Sequence, residues 1–597
     1  MSKISVYKEK LSYLFLFLVV VFALMLRILW LDRVPIAISD DELDYVLDAK
    51  AIFLSGKDLS GQWSPLSLTP APYQVPKAEL PPLIMAPLVG FMRLSLFSAR
   101  LTHLIGGIIL VILLYLIALR LFNSKVALIV GIVVAINPWS IYFSRTAFDV
   151  FLALIFYYAA LLILIYSKGW KLLFAFPFLF FAFFSYIGTK LIFLPFVFIV
   201  GIYCWYFLNK KRFIRQYLIL ILLSLCVFSW FLVSLKSQPA KTRISELLTP
   251  FHYMVTQRVN DERRLSMRNP MTLLFSNKPV VFAKLFLEKY LGIFSADFLF
   301  LHGEARATYS MWFHGMFYYL DLVFLILGFC YLFFKSKKLW LFLTTLMAIA
   351  PLPAAFSTVG EEYALRGCLL YPILILFISL GVWFLISFKK EKAYKMAVTS
   401  FIIIAYFFQL FNFLNIYFFR NPIYNSEGFG FSNRILANYI NITKLNARRI
   451  LIITGNKLSA FKRYLFYSGF YNHETLPLVQ EMIHKGKYKW ENVYFLSKCP
   501  QNLVLNKKDV VILSPGSDCL NEEEYSYWLG IAQLSDGGEV FRIINDPVCY
   551  QFNLGRYPSG IKLADFKVEE LEVQQFCQKF ISDHTGYVNF RKNFLKL

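Results

Sequence analysis

Three short stretches hold the residues whose types and spacing suit chemistry. The first is Ser39-Asp40-Asp41-Glu42, which opens a helical pattern with Leu43, Val46, Leu47, Ala51 and Leu54 on one face and Asp41, Asp44 and Asp48 on another. The second runs from Asn137-Pro138-Trp139 through Ser144-Arg145-Thr146 to Asp149, and the third is Glu361-Glu362-Tyr363-Ala364-Leu365-Arg366. Carboxylates in such places take protons as general bases or give oxygen ligands to a divalent metal; Asp41 could be such a base, and Asp41, Glu42 and Asp149 could supply the ligands. Nothing in the sequence demands the metal. Arginine suits bidentate contacts with phosphate, which makes Arg145 and Arg366 candidate anion partners. A plainer reading stands beside each stretch. Ser39 with Glu42 forms a capping box, Thr146 with Asp149 reads as a cap, and Arg366, at a helix start where the dipole disfavours a cation, can snorkel to a membrane interface.

These residues need elements to hold them, and composition says that the elements sit in a bilayer. Of 597 residues 58% are hydrophobic and 16% charged, a balance no water-soluble chain of this length tolerates. The net charge of +24 does not mark a nucleic-acid binder, because the basic residues cluster briefly between apolar runs, where they face cytosol and anionic headgroups. Runs long enough to cross as helices lie near residues 11–31, 101–121, 126–141, 150–166, 171–184, 191–208, 213–235, 316–334, 339–356, 368–388 and 393–418, about eleven spans. The first follows Lys3, Lys8 and Lys10 without a small-residue cleavage site and reads as a retained anchor. Residues 83–97, short and bearing Pro87 and Arg93, read as an interfacial or re-entrant helix.

The basic clusters test this arrangement. With the N-terminus in the cytosol, Arg120 with Lys125, Lys168 with Lys171, residues 209–212, Lys335 with Lys337 and Lys338, and residues 389–392 all fall on the cytosolic side. The other side then receives the first loop (32–100), the turn at 137–149, a large loop (236–315), residues 357–366 and everything after Arg420. All three candidate stretches share that extracytoplasmic side. Residues 421–597 differ in kind, alternating β-runs at 450–454, 492–496 and 509–513 with helical segments such as 458–467, and are expected to form a small α/β domain after a membrane domain of residues 1–420. Cys499 with Cys519 and Cys549 with Cys577 are the expected disulfides there, although four cysteines permit three complete pairings or none.

The order of these motifs resembles the GT-C glycosyltransferases, nearest the branch of protein O-mannosyltransferases and the lipid A aminoarabinose transferase. The likeness is carried by Asp41-Glu42 on a surface helix, Pro81-Pro82-Leu83 before a short helix and Arg100-Leu101, Asn137-Pro138 followed by Ser144-Arg145 and Asp149, and Phe298 to Glu304 before Gly315. It covers residues 11 to about 418. The resemblance implies a mainly α polytopic GT-C fold and inverting transfer of a monosaccharide from a polyprenyl-phosphate donor to a protein, lipid or glycan outside the cytoplasm. It implies Asp41 as general base, Glu42 as its neighbour and Asp149 as the acid near the acceptor. Such a transfer also needs cations for the departing phosphate, for which Lys77, Arg100, Arg145 and Arg366 are candidates of equal standing, and Glu304 is a further candidate for binding substrate. Asp40 rivals Asp41, and Leu80 stands where many aminoarabinose-transferase relatives carry Lys before the Pro-Pro pair. The other readings are a glycan ligase, polymerase or oligosaccharide transferase of similar architecture, and a transporter. The charges gather at outer helix ends rather than in broken helices at mid-membrane, which disfavours the last.

Overall fold

The computed structural model describes residues 3–69, 77–208, 211–234, 253–267, 269–304, 308–311, 313–356, 363–500, 505–517 and 528–583. The chain forms two compact units. One comprises Met1–Leu29, Pro65–Pro81 and Thr102–Leu414, and the other Trp30–Ser64, Pro82–Leu101 and Asn415–Leu597.

Seven helices among the described residues have the length and apolarity to cross a bilayer: Leu96–Leu121, Asp149–Tyr166, Gly188–Phe207, Ile214–Ser234, Lys337–Ala355, Cys368–Ser387 and Lys392–Tyr424. The other expected spans are helical too: Lys3–Ile28, and the shorter Ser124–Ile136, Gly169–Ser185 and Tyr319–Lys335. Local chemistry sets their ends. Ser124–Ile136 stops because Asn137 turns to extended backbone ahead of Pro138, and the Asn137 side chain then accepts from the Ser140 N–H to start the helix Pro138–Phe143. Within the first unit, Tyr319–Lys335 and Tyr371–Ser387 touch backbone to backbone. A Cβ on Gly328 would fall 1.8 Å from the Phe377 carbonyl oxygen and one on Gly381 1.9 Å from that of Phe324, so only glycine permits the approach. Residues 83–97 resolve into a helix, Pro81–Phe91, and a break before Leu96–Leu121 begins.

The second unit is built on a seven-stranded sheet of order β2-β3-β1-β4-β6-β5-β7. Its strands are β1 Arg449–Ile453, β2 Tyr488–Trp490, β3 Val493–Leu496, β4 Asp509–Leu513, β5 Leu529–Ala532, β6 Glu539–Ile544 and β7 Ser582–Asp583. The centre β3-β1-β4 is parallel and buried, which explains the near-continuous apolar runs in β1 and β4, and the flanking pairs are antiparallel. Cys549 and Cys577 are bonded to each other as expected; Cys499 is also disulfide-bonded, and Cys519 lies outside the described residues.

Candidate active site

The acidic stretch begins the helix Asp40–Ser55 in the second unit. The expected capping box is present: the Glu42 N–H donates to Ser39 Oγ, while the Ser39 N–H and Oγ each donate to Glu42 Oε2 at 3.0 Å. Glu42 does more than cap. Its side chain is fully buried, and its Oε1 lies 3.5 Å from Nε of Arg100, which is equally buried. Arg100 in turn donates to the carbonyls of Leu31, Pro35 and Ala37 at 3.4, 2.8 and 2.6 Å. The structure thus brings together two expected site residues and spends their contacts on the shape of the 31–37 turn. Asp41, by contrast, is exposed.

The same helix is tied to the sheet domain. Arg463, on the helix Lys457–Ser468, donates to Asp40 Oδ1 at 2.9 Å and to the Ile38 carbonyl at 2.8 Å, and Ser459 Oγ donates to Asp40 at 2.9 Å. Lys462 pairs with Asp44 at 2.6 Å, Arg434 donates to the Ile36 carbonyl and to both oxygens of Glu569, and the Ile38 N–H donates to Tyr467 Oη. Burial alone would raise the Glu569 carboxyl, but the Arg434 guanidinium holds it below the usual carboxylate range. At the far end Lys50 donates to the carbonyls of Gly90 and Met92 at 2.7 and 2.9 Å, and burial pushes its ammonium down.

In the first unit, Asp149 opens the helix Asp149–Tyr166 and its Oδ1 accepts from the Val150 N–H at 2.8 Å. The expected Thr146 cap is not formed: the helix is capped at Phe148 without a side-chain bond, and the Thr146 hydroxyl donates back to the Tyr142 and Phe143 carbonyls. Arg145 is fully buried and donates to the carbonyls of Leu26 and Arg27 at 3.3 and 2.7 Å, at the C-terminal end of the helix Lys3–Ile28. Arg27 does the same for the carbonyls of Val134 and Ala135, ending Ser124–Ile136. Both guanidiniums therefore meet helix ends whose carbonyls lack partners and whose dipoles favour cations.

Glu304 Oε2 accepts from the Ala364 N–H at 2.9 Å, so the Phe298-to-Glu304 motif does meet the third stretch. Arg366 is half-buried and closes the short helix Tyr363–Arg366 instead of starting one, an end where a cation is favoured; Glu361 and Glu362 lie outside the described residues. Lys77 is buried, two residues before Glu79. Glu79 and its partner Lys190 are not among the residues that the sequence reading singles out. Lys190 Nζ donates to both Glu79 oxygens at 2.8 and 2.9 Å, its ammonium 4.4 Å from the Phe231 ring centre, and the Glu79 and Leu80 N–H groups donate to the Phe184 carbonyl. A lone lysine inside the end of an apolar run was the signal available. Among the described residues, no three or more His, Cys, Asp and Glu side chains gather closely enough to hold a metal ion.

Solved structures similar to this chain include the Archaeoglobus fulgidus oligosaccharyltransferase and ArnT from Cupriavidus metallidurans. They are GT-C glycosyltransferases. The oligosaccharyltransferase tethered to an acceptor peptide with the NVT sequon matches at TM-score 0.46 and 12% identity, over 78% of this chain and 64% of its own, and the apo form at 0.47 and 11%, over 91% and 75%. ArnT bound to undecaprenyl phosphate matches at TM-score 0.47 and 11% identity, over 89% of this chain and 98% of its own. No family model and no curated protein matches the sequence.

Proposed function

We propose that this chain is an inverting membrane glycosyltransferase that moves a monosaccharide from a polyprenyl phosphate to a protein, lipid or glycan acceptor outside the cytoplasm. In this reading residues 1–420 form the transferase domain, and residues 421–597 the extracytoplasmic domain. A single displacement at the anomeric carbon needs a base for the acceptor proton and cations for the departing phosphate. Asp41 is the proposed base, Asp149 the acid beside the acceptor, and Lys77 and Arg366 the first candidates for the phosphate. Glu42 and Arg100 are proposed to hold the turn before the Asp41 helix, through their ion pair and their bonds to Ser39 and to backbone, and Arg145 and Glu304 to hold helix ends in the first unit through bonds to backbone. The observation that carries the reading is the acidic helix. It offers Asp41 to solvent beside Glu42, a buried neighbour held by Arg100, and beside Asp40, which Arg463 and Ser459 engage.

Purified protein supplied with undecaprenyl-phosphate-linked radiolabelled monosaccharides and mixed envelope acceptors is expected to transfer label. Transfer only from pyrophosphate-linked oligosaccharides would instead make it an oligosaccharide transferase. The proposed orientation has its own check: reporters fused after Lys390 and after Gly430 should report opposite sides of the membrane, cytosolic and extracytoplasmic in turn. A same-side result would remove the last span.

A further inference from the structure

The large loop of the first unit carries a helical hairpin with an apolar outer side. A helix at residues 253–264 packs against Lys278–Gly292 through Val255, Val259, Val281 and Leu285. The two helices point opposite kinds of surface away from that seam. On the first, Gln257, Arg258, Asn260 and Arg264 are exposed, the normal dress of a helix facing water. On the second, Ala283, Leu287 and Leu291 occupy the side turned from the seam and are exposed, Leu287 at 52% and Leu291 at 60%. Between them the helix Pro270–Phe275 buries nothing, and exposes Met271, Leu273, Leu274 and Phe275.

An apolar side this continuous is too large to leave in water. Its position says what covers it. Tyr290 Oη donates to the Ala348 carbonyl at 2.8 Å, and the Phe286 ring meets Phe356 edge-on at 5.0 Å, which sets Lys278–Gly292 against the end of the membrane-crossing helix Lys337–Ala355. The end of a membrane-crossing helix is where the hydrocarbon gives way to headgroups. Lys278, exposed on the same helix, suits a lipid phosphate, while Lys284 pairs with Glu262 of the first helix at 3.4 Å and ties the two together. We propose that the hairpin lies on the outer leaflet, with Pro270–Phe275 and the Leu287–Leu291 face sunk into lipid and the 253–264 helix toward water. The immersion is about 5–10 Å below the headgroup boundary, as for interfacial helices generally.

The test uses the full chain in phosphatidylcholine–phosphatidylglycerol nanodiscs, with Cys226→Ser and Cys330→Ser removing the two exposed thiols among the described residues. Single cysteines placed by Leu274→Cys, Leu287→Cys and Gln257→Cys carry an environment-sensitive fluorophore. Labels at positions 274 and 287 should be quenched by lipid nitroxides near the headgroup end of the acyl chain and shielded from aqueous iodide. The label at 257 should show the reverse. Equal iodide quenching at all three positions, or lipid quenching at 257 alone, overturns the proposal. Should a variant fail to fold, carbene photolabelling of the wild-type chain from a lipid-attached probe decides instead. Adducts in residues 270–291 and none in 253–264 support it, and the absence of adducts from 270–291, as a protein partner on this face would produce, refutes it.

Discussion

Replacing Glu42 by Gln separates a framing role from a reacting one. Gln keeps the shape of the side chain but cannot keep all its bonds. Glu42 Oε2 accepts twice from Ser39 while Oε1 faces Arg100 at 3.5 Å; with one oxygen lost, either Ser39 or Arg100 meets an amide N–H. Both partners of the ion pair are fully buried, and breaking a buried pair by removing one charge costs about 3–5 kcal/mol. Arg100 retains three carbonyl acceptors, so the lower end of that range is expected, about 3 kcal/mol. That is about a 150-fold rise in local opening. Hydrogen exchange of the intact protein in detergent should show it in the amides of residues 39–49, with distant helices such as Tyr371–Ser387 unchanged. Asp41→Asn is the internal scale: loss of one dipole-facing charge at about 0.3–1 kcal/mol raises exchange only about two- to fivefold. If Glu42→Gln moves exchange no more than Asp41→Asn does, the pair does not hold the turn and the framing argument fails.

Asp41→Asn is expected to lower transfer about 10²–10⁴-fold with donor-lipid binding retained, the loss typical of a missing general base, whereas Asp40→Asn should lower it only mildly. Near-normal turnover of the Asp41 variant would remove it as the base. In the sheet domain, Arg448 above all, with Arg449 adding to it, holds the Asp509 carboxyl well below the usual range against the opposing effect of burial. Its stabilisation is present above the unfolded value near pH 4 and fades as pH falls toward the folded value, so the thermal advantage of wild type over Asp509→Asn should be full at pH 7 and shrink below about pH 4. An advantage independent of pH would show that the pairs contribute nothing. Removing the Cys549–Cys577 bridge with Cys577→Ser releases a loop of sequence separation 28 and should destabilise the second unit by about 3.6 kcal/mol, read as a lower midpoint in non-reducing thermal unfolding.

Much of this was legible because it depends on local pattern. The capping box at Ser39 and Glu42 and the strands at 450–454, 492–496 and 509–513 follow from neighbours within a few residues, and the structure has each within one or two positions, whereas the span read as 126–141 stops at Ile136, where Asn137 precedes Pro138. What local pattern cannot supply is the partner of a charge. Arg145 and Asp149 read as opposite charges at a helix mouth, yet the Arg145 bonds described here go to carbonyls ending another helix, and Thr146 turns backward instead of capping. The helix expected after Arg366 does begin two residues on, at Cys368, but Arg366 itself closes a separate four-residue helix, too short to give a periodicity to read. Glu79 with Lys190 escaped notice since the two residues lie 111 positions apart and each alone resembles a stray charge near an interface.

The acidic helix shows why distant partners matter to the proposed chemistry. Its first five residues include Asp40, Asp41, Glu42 and Asp44, and although each carboxylate gains from the helix dipole, each also repels the others at one turn's spacing. The dipole is worth a few tenths of a kcal/mol per charge, too little to gather four carboxylates on one turn. Cations from two other segments make the cluster possible: Arg100 beside Glu42, and Arg463 and Lys462 beside Asp40 and Asp44 across more than four hundred residues. The sheet domain is therefore part of what holds the proposed base in place. A chain cut after residue 420 would leave Asp40 and Asp44 without Arg463 and Lys462 and the 36–38 turn without Arg434 and Tyr467, so it would retain Asp41 in sequence while losing the contacts that orient its helix.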